Sequence, residues 1–338
     1  MPSFHPPMHW LGQLAQLQSI DLSHPDGVEA LQIAVATEVE NAVAQPIKLY
    51  GHRVEAMFAY VLAGLGGVAA LKQEDAGLAY IGDTAASPPD FRVRLTDGRE
   101  VFIEVKTHRD KSLTKNIRLK QGYLRSKQAY ASAWGCELYF AFWWRNASQW
   151  LLLKGEDFIS DDTHYSLTTL QAMKRSRMVE LGDISLGTLP PLALHLHLPS
   201  AQIAPYPDGQ LDWNRATRSF TMAGKIIRNA EEKRFAWYLL QFGSWNSVRN
   251  EEAELEDGSR VHSFYAEPEE WETEQGFAMI GTLSGMISNA FRFQTQRDGR
   301  VSAIVPDAAI NSLGTHLPEG PSGVDLKLWR FKILPNFK

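Results

Sequence analysis

The 338-residue chain has a single cysteine, Cys136. A lone thiol excludes an internal disulfide and any thiolate cage for zinc, so a bound metal would take oxygen ligands. Positive charge is also in deficit: 34 Lys and Arg stand against 39 Asp and Glu, for a net charge of −5. That balance gives no chain-wide pull toward nucleic acid, and such a partner would have to meet a local basic surface. No apolar run is long enough to span a bilayer. The start, "MPSFHPPMHWLGQLAQLQ", has neither the basic opening nor the continuous apolar core of a secretion signal. These absences predict a soluble, cytoplasmic chain with no membrane partner. Low complexity is absent as well: 44% apolar residues and ten tryptophans predict a folded chain with a proper core. The length exceeds the usual size of one core, so two domains are expected.

Along the chain, "VEALQIAVATEVENAVAQP" has helical apolar spacing with Pro46 as its stop. A second helix follows in "GHRVEAMFAYVLAGLGG". Its apolar residues Val54, Met57, Phe58, Val61 and Leu62 fall on one stripe, with Glu55 at the border. A hairpin comes next, then a basic stretch from Thr114 to Ala133 that is expected to be helical. "CELYFAFWW" and "WLLLKGEDF" then read as buried strands, with one of Trp143 and Trp144 in the core and the other at the surface. "SLTTLQAMKRSRMVEL" adds a helix and "PLALHLHLP" a strand. This alternation predicts an α/β fold, a mixed sheet flanked by helices. The turn-rich segment "PSAQIAPYPDGQ" sets a domain boundary near residue 200. Beyond it, "AEEKRFAWYLLQF" and "GFAMIGTLSGMISNAF" read as helices and "FRFQTQRDGRVSAIV" as a hairpin, a C-terminal α+β domain. A helix followed by a hairpin is also the outline of a winged-helix DNA reader.

The hairpin "PDFRVRLTDGREVFIEVKT" carries the chemistry. Phe91, Val93 and Leu95 alternate with arginines, and Val101, Ile103 and Val105 alternate with Phe102, Glu104 and Lys106, so both strands have an apolar odd-numbered face. Those faces coincide only if the loop has an odd number of residues. The three-residue loop Thr96-Asp97-Gly98 satisfies this and puts glycine at the left-handed position. Asp90 then falls opposite Glu104, with Lys106 on the same face. Like charges facing across a sheet cost about 0.2–1 kcal/mol relative to neutral pairs. A hard divalent cation offsets that repulsion, because Mg²⁺ takes carboxylate and carbonyl oxygens while keeping waters and accepting phosphate. Lys106 stands where it would orient a water or stabilise charge on an attacked phosphate.

In these residues the chain resembles the PD-(D/E)XK nuclease superfamily, with Pro89-Asp90 and Glu104-Val105-Lys106 as the signature and Glu55 as the glutamate of the preceding helix. The resemblance covers roughly residues 48–160. It implies a restriction-endonuclease-like mixed sheet in a catalytic domain over 1–200; 201–338, which carries no such resemblance, is expected to serve recognition or assembly. It implies that Asp90, Glu104, the Val105 carbonyl and Glu55 hold Mg²⁺, which Mn²⁺ would replace, that Lys106 serves the attacking water, and that Gln128 assists from the following helix. DNA is the implied substrate, and a homodimer or a multi-protein complex the implied assembly. A non-catalytic nucleic-acid-binding subunit and an RNA-cleaving enzyme of the same chemistry are the alternatives.

The residues after the hairpin add a separate argument. Arg109, Lys111, Lys115, Arg118, Lys120 and Lys127 are basic, and from Lys106 to Lys127 the only acid is Asp110. In an acidic chain this local reversal predicts phosphate contacts beside the acid pair. Ile117, Gln121, Leu124 and Gln128 form one stripe along the expected helix, with Gln121 the rival of Gln128 for the site. "HLH", His195 to His197, sets two imidazoles on one side of a strand and reads as an ordinary strand face rather than a metal site.

Overall fold

A computed structural model describes residues 6–74, 82, 85–203, 211–245, 247–314 and 325–337. The chain opens with helices α1 (Pro6–Leu17), α2 (Gly27–Val43) and α3 (Pro46–Gly64). Proline begins α3, where a missing N–H costs nothing. Strands β1 (Val68–Gln73), β2 (Phe91–Leu95) and β3 (Glu100–His108) follow, then β4 (Asn116–Lys120), α4 (Gln121–Ala133), β5 (Glu137–Trp144) and β6 (Gln149–Lys154). One sheet has the order β1-β2-β3-β5-β6, with β3 and β5 parallel and the other neighbours antiparallel. Parallel neighbours need a crossover, and the segment carrying β4 and α4 supplies it.

Side-chain alternation fixes the layers. Phe91, Val93, Leu95, Val101, Ile103 and Val105 meet Val54, Met57, Phe58, Val61 and Leu62 of α3 on one face. On the other, Phe102, Leu138, Phe140 and Phe142 meet Leu124, Tyr130 and Ala131 of α4. Strand β5 is buried on both faces, which is why its sequence reads as a continuous apolar run. Trp143 and Trp144 are therefore both buried, where the alternation expected of the strand would put one of the two at the surface.

The basic stretch expected to form one helix from Thr114 to Ala133 is two elements. Ile117 and Leu119 are buried while Asn116, Arg118 and Lys120 are exposed, the period-two alternation of a strand, and the helix begins only at Gln121. The apparent stripe Ile117, Gln121, Leu124, Gln128 joined a strand residue to a helix. Strand β4 pairs with β8 (His164–Thr168) in a small sheet that also holds β7 (Ile159–Ser160), and α5 (Thr169–Arg175) follows.

A second five-stranded sheet, wholly antiparallel, has the order β12-β11-β10-β14-β13. It comprises β10 (Leu192–Leu198), β11 (Thr217–Met222), β12 (Lys225–Ile227), β13 (Ser247–Glu254) and β14 (Arg260–Glu267), with α6 (Ala230–Phe242) packed on one face. A three-stranded sheet places β9 (Ser185–Thr188) between β15 (Ala278–Thr282) and β18 (Leu328–Phe331). Two features cross the boundary expected near residue 200. Strand β10 lies before it yet pairs with β11 and β14 beyond it. Helix α7 (Leu283–Thr295) packs on α3 and adds Leu283, Ile287, Ala290 and Phe291 to the first sheet's core. Residues 204–210 of the turn-rich segment lie outside the described residues. "GFAMIGTLSGMISNAF" divides into β15 and α7, because Gly281 at φ 112° interrupts the expected helix. The hairpin expected at "FRFQTQRDGRVSAIV" shrinks to two residues per strand, β16 (Gln296–Arg297) and β17 (Arg300–Val301), since Phe291-Arg292-Phe293 belongs to α7.

Candidate active site

The β2–β3 hairpin has the register read from the sequence: Phe91 faces Ile103, Val93 faces Val101 and Arg94 faces Glu100. The Leu95 amide donates to the Arg99 carbonyl at 2.9 Å, closing the three-residue loop with Gly98 at φ +94°. Asp90 stands just ahead of β2, where the same register sets it opposite Glu104. Both acids are buried, at 6% and 1% exposure. The Asp90 Oδ2 atom accepts the Val105 amide proton at 2.6 Å. Burial, then repulsion from Glu104, pushes the Asp90 carboxyl up to about 7, with Glu55 adding to the repulsion; the Val105 amide and Lys106 oppose the shift.

Glu104 is held by groups from its own strand and from α4. Its Oε1 accepts a proton from Lys106 Nζ at 2.5 Å and another from the Tyr123 hydroxyl. Its Oε2 is buried and has no hydrogen-bond partner, although Lys127 Nζ lies 3.1 Å away. That ammonium instead donates to the Pro88 carbonyl at 2.6 Å. Both lysine nitrogens flank the Tyr123 ring, 5.0 and 5.4 Å from its centroid. Burial and Glu104 hold the Tyr123 phenol well above its usual range, so it stays a proton donor. Two carboxylates, two ammonium groups and one phenol thus share a buried pocket between the hairpin and α4.

The other residues expected at the site are placed unevenly. Glu55 on α3 is one-fifth exposed, pairs with His52 at 3.1 Å and lies close enough to repel Asp90. Gln128 is exposed, next along α4 to the buried Lys127. Gln121 is also directed elsewhere, donating to the Asp161 carbonyl at 2.5 Å. Arg109, Lys111, Lys115, Arg118 and Lys120 are exposed, as expected of a basic surface, but Lys127 is buried against Glu104 and leaves that surface. The cause is again the helix start. Counted from Gln121, the sheet-facing positions of α4 are Leu124, Lys127, Tyr130 and Ala131, and Tyr123 lies one turn before Lys127. A strand read at residues 116–120 would have exposed both Tyr123 and Lys127 to sequence reasoning.

Among the described residues, no three His, Asp, Glu or Cys side chains are arranged as a ready-made metal cage. The donors that do converge are hard oxygens: the two carboxylates, one with a buried oxygen free of hydrogen bonds. They suit a hard divalent cation that keeps part of its water shell, and such a cation would lower the Asp90 carboxyl by opposing its repulsion.

No family model matches the chain, and no curated protein matches it. Among solved structures, it is similar to a Holliday junction resolvase from Archaeoglobus fulgidus, an archaeal hyperthermophile. The overlap covers 30% of this chain and 78% of the resolvase at 16% identity, with a TM-score of 0.24. A likeness of that size carries no weight on function. The fold is a mixed α/β arrangement of several sheets with flanking helices, and no described helix is long and apolar enough to cross a membrane.

Proposed function

We propose that the chain is a divalent-metal-dependent nuclease of the PD-(D/E)XK type that hydrolyses DNA phosphodiester bonds. One observation carries the reading: Asp90, just ahead of β2, and Glu104 of β3 are buried opposite each other, burial and then repulsion from Glu104 raise the Asp90 carboxyl, and a Glu104 oxygen has no hydrogen bond. Burying two like charges is costly, and a structure keeps such a pair where a ligand completes it.

Asp90 and Glu104 would hold a Mg²⁺ or Mn²⁺ ion, with the Val105 carbonyl and Glu55 completing the oxygen set. When bound, the ion supplies charge neutralisation at the phosphate and acidifies a water. The chain's own groups do the rest. The Val105 amide holds Asp90 in place through its 2.6 Å hydrogen bond. Tyr123 fixes Glu104 Oε1 and cannot deprotonate, so it orients the acid without competing for the proton of an attacking water. The Lys106 side chain, one-third exposed, reaches from Glu104 toward solvent, where it would orient that water or take up charge on the phosphate. Lys127 is almost fully enclosed and balances Glu104 from the other side. The exposed Arg109, Lys111, Lys115, Arg118 and Lys120 would contact the DNA backbone without reading bases.

Incubation of the purified protein with supercoiled, nicked, single-stranded and branched DNA, in Mg²⁺ or Mn²⁺ and in chelator, tests this. Metal-dependent cleavage that Lys106→Met abolishes is expected. Intact DNA of every form, or cleavage that persists in Lys106→Met, would refute it, and cleavage of RNA alone would redirect it to the RNA substrate.

A further inference from the structure

A second charged cluster lies just past the C-terminal end of β3, and it is built of arginines. Arg109 follows the last residue of β3, and Arg145 follows the last residue of its parallel neighbour β5. Their guanidinium carbons stand 5.3 and 5.6 Å from the centroid of one ring, Tyr50 of α3. Tyr50 packs against the first sheet's core and is a fixed platform. Arg53, three residues on, is 2% exposed and donates to Thr295 Oγ1 from two nitrogens, at 3.2 and 2.7 Å. Arg292 of α7 lies close enough to Arg53 to repel its charge and approaches Ser148 Oγ at 3.4 Å, in the turn that Arg145 begins. Four segments distant in sequence therefore gather four guanidinium groups.

Among the described residues none of the four pairs with a carboxylate, and Asp110, next to Arg109, pairs with no cation. The backbone beneath is stapled: the Arg145 amide donates to the His108 carbonyl at 3.1 Å, Asn146 Nδ2 to the Arg109 carbonyl at 2.5 Å, and Trp144 Nε1 to the Asp110 carbonyl at 2.7 Å. The repulsion between these arginines is held by rigid scaffolding, not relieved by an acid. A guanidinium fork stacked on an aromatic ring suits the tetrahedral oxygens of phosphate. Five residues of strand separate Glu104 from Arg109, roughly 16 Å at the usual rise. The cluster therefore faces a phosphate other than one lying at the acid pair, about four to five nucleotides away along a duplex strand.

We propose that Arg109 and Arg145 around Tyr50, backed by Arg53 and Arg292, form an anion site for a backbone phosphate of the same DNA strand that reaches the acid pair. The inference rests on the nuclease reading for its substrate class only. Its test is DNA binding in chelator, where no cleavage occurs, followed by fluorescence anisotropy of a labelled 20-nucleotide duplex over a series of salt concentrations. The double variant Arg109→Ala/Arg145→Ala is expected to bind roughly 10- to 100-fold more weakly and to lower the slope of log affinity against log salt by about 1. Tyr50→Leu, which keeps an apolar side chain against the core, is expected to weaken binding by roughly 3- to 10-fold. Arg260→Ala, on the second sheet and paired with Glu254, is expected to bind like the parent. Both arginines of the double variant are exposed, and an unchanged melting temperature shows that it folds. Equal affinity and equal salt slope for parent and double variant overturn the proposal, as does a parent that binds no DNA. The two readings separate cleanly: arginine-dependent binding without cleavage in Mg²⁺ sustains the anion site and sinks the nuclease, whereas cleavage by a double variant that binds normally does the reverse.

Discussion

Each of the two five-stranded sheets presents polar side chains on a strand that has neighbours on both sides, and the two treat them in opposite ways. On β10, His195 meets Ser263 Oγ at 2.7 Å through Nδ1 and Thr221 Oγ1 at 2.9 Å through Nε2, while His197 meets Ser219 Oγ at 3.1 Å. A hydroxyl donates or accepts as required, so either neutral tautomer of His195 is fully satisfied. Burial holds the His195 imidazole below its usual range, with His197 adding repulsion, which keeps it neutral. On β3, Glu104 faces another acid, draws two lysines and a phenol toward it, and still leaves one buried oxygen without a hydrogen bond. The first arrangement is complete as it stands. The second is complete only with something more, and that difference separates a structural polar ladder from a site.

Substitutions should widen or erase that contrast, beginning with the acid that most needs a ligand. Replacing Glu104 by glutamine removes charge but little volume, and cleavage is expected to fall by roughly 10²- to 10³-fold or more in single-turnover assays. Next comes the repelled acid. The Asp90 carboxyl is raised from 3.8 to about 7, so its penalty is absent below its unfolded value and grows as pH rises through about 7. In metal-free protein, Asp90→Asn should therefore match the parent near pH 4 and gain on the order of 2 kcal/mol at pH 8 in denaturant unfolding. A constant difference across pH would deny that burial and repulsion raise the Asp90 carboxyl. Tyr123→Phe deletes the donor to Glu104 and is expected to cost about 1 kcal/mol of stability and roughly tenfold in turnover, with little change in apparent DNA affinity. The smallest effect is reserved for the second sheet: His195→Ala is expected to cost about 1 kcal/mol by loss of its two hydrogen bonds while cleavage stays within about twofold. A His195 variant as inactive as Glu104→Gln would dissolve the distinction between the two sheets.

The hairpin was the most legible part of the chain, because period-two alternation on both strands and a glycine suited to positive φ left one register. Placement of Asp90, Glu104 and Lys106 on one face followed from that register alone. What remained hidden depended on long-range packing. Residues Asn116–Lys120 carry the alternation of a strand, yet Lys and Arg at the exposed positions also suit a helix, and only pairing with His164–Thr168 decides between them. That one ambiguity moved the start of α4, set Gln128 at an exposed position and concealed Tyr123 and Lys127. The strand pairing across the expected boundary was hidden for a similar reason. Composition reports a loop, but whether strands on either side of it pair is set by partners about twenty to seventy residues away, such as Leu194 with Phe220 and with Phe264. The arginine cluster around Tyr50 had no local signature at all, since its members come from α3, the ends of β3 and β5, and α7.

The central claim is that Asp90 and Glu104 converge on one divalent cation, and Mn²⁺ binding measured by electron paramagnetic resonance, without DNA, tests it most directly. The parent protein is expected to bind Mn²⁺ stoichiometrically and to melt at a higher temperature with it, whereas Glu104→Gln and Asp90→Asn lose both responses. Equal Mn²⁺ binding by the parent and both variants, or none by the parent at millimolar metal, would contradict the account.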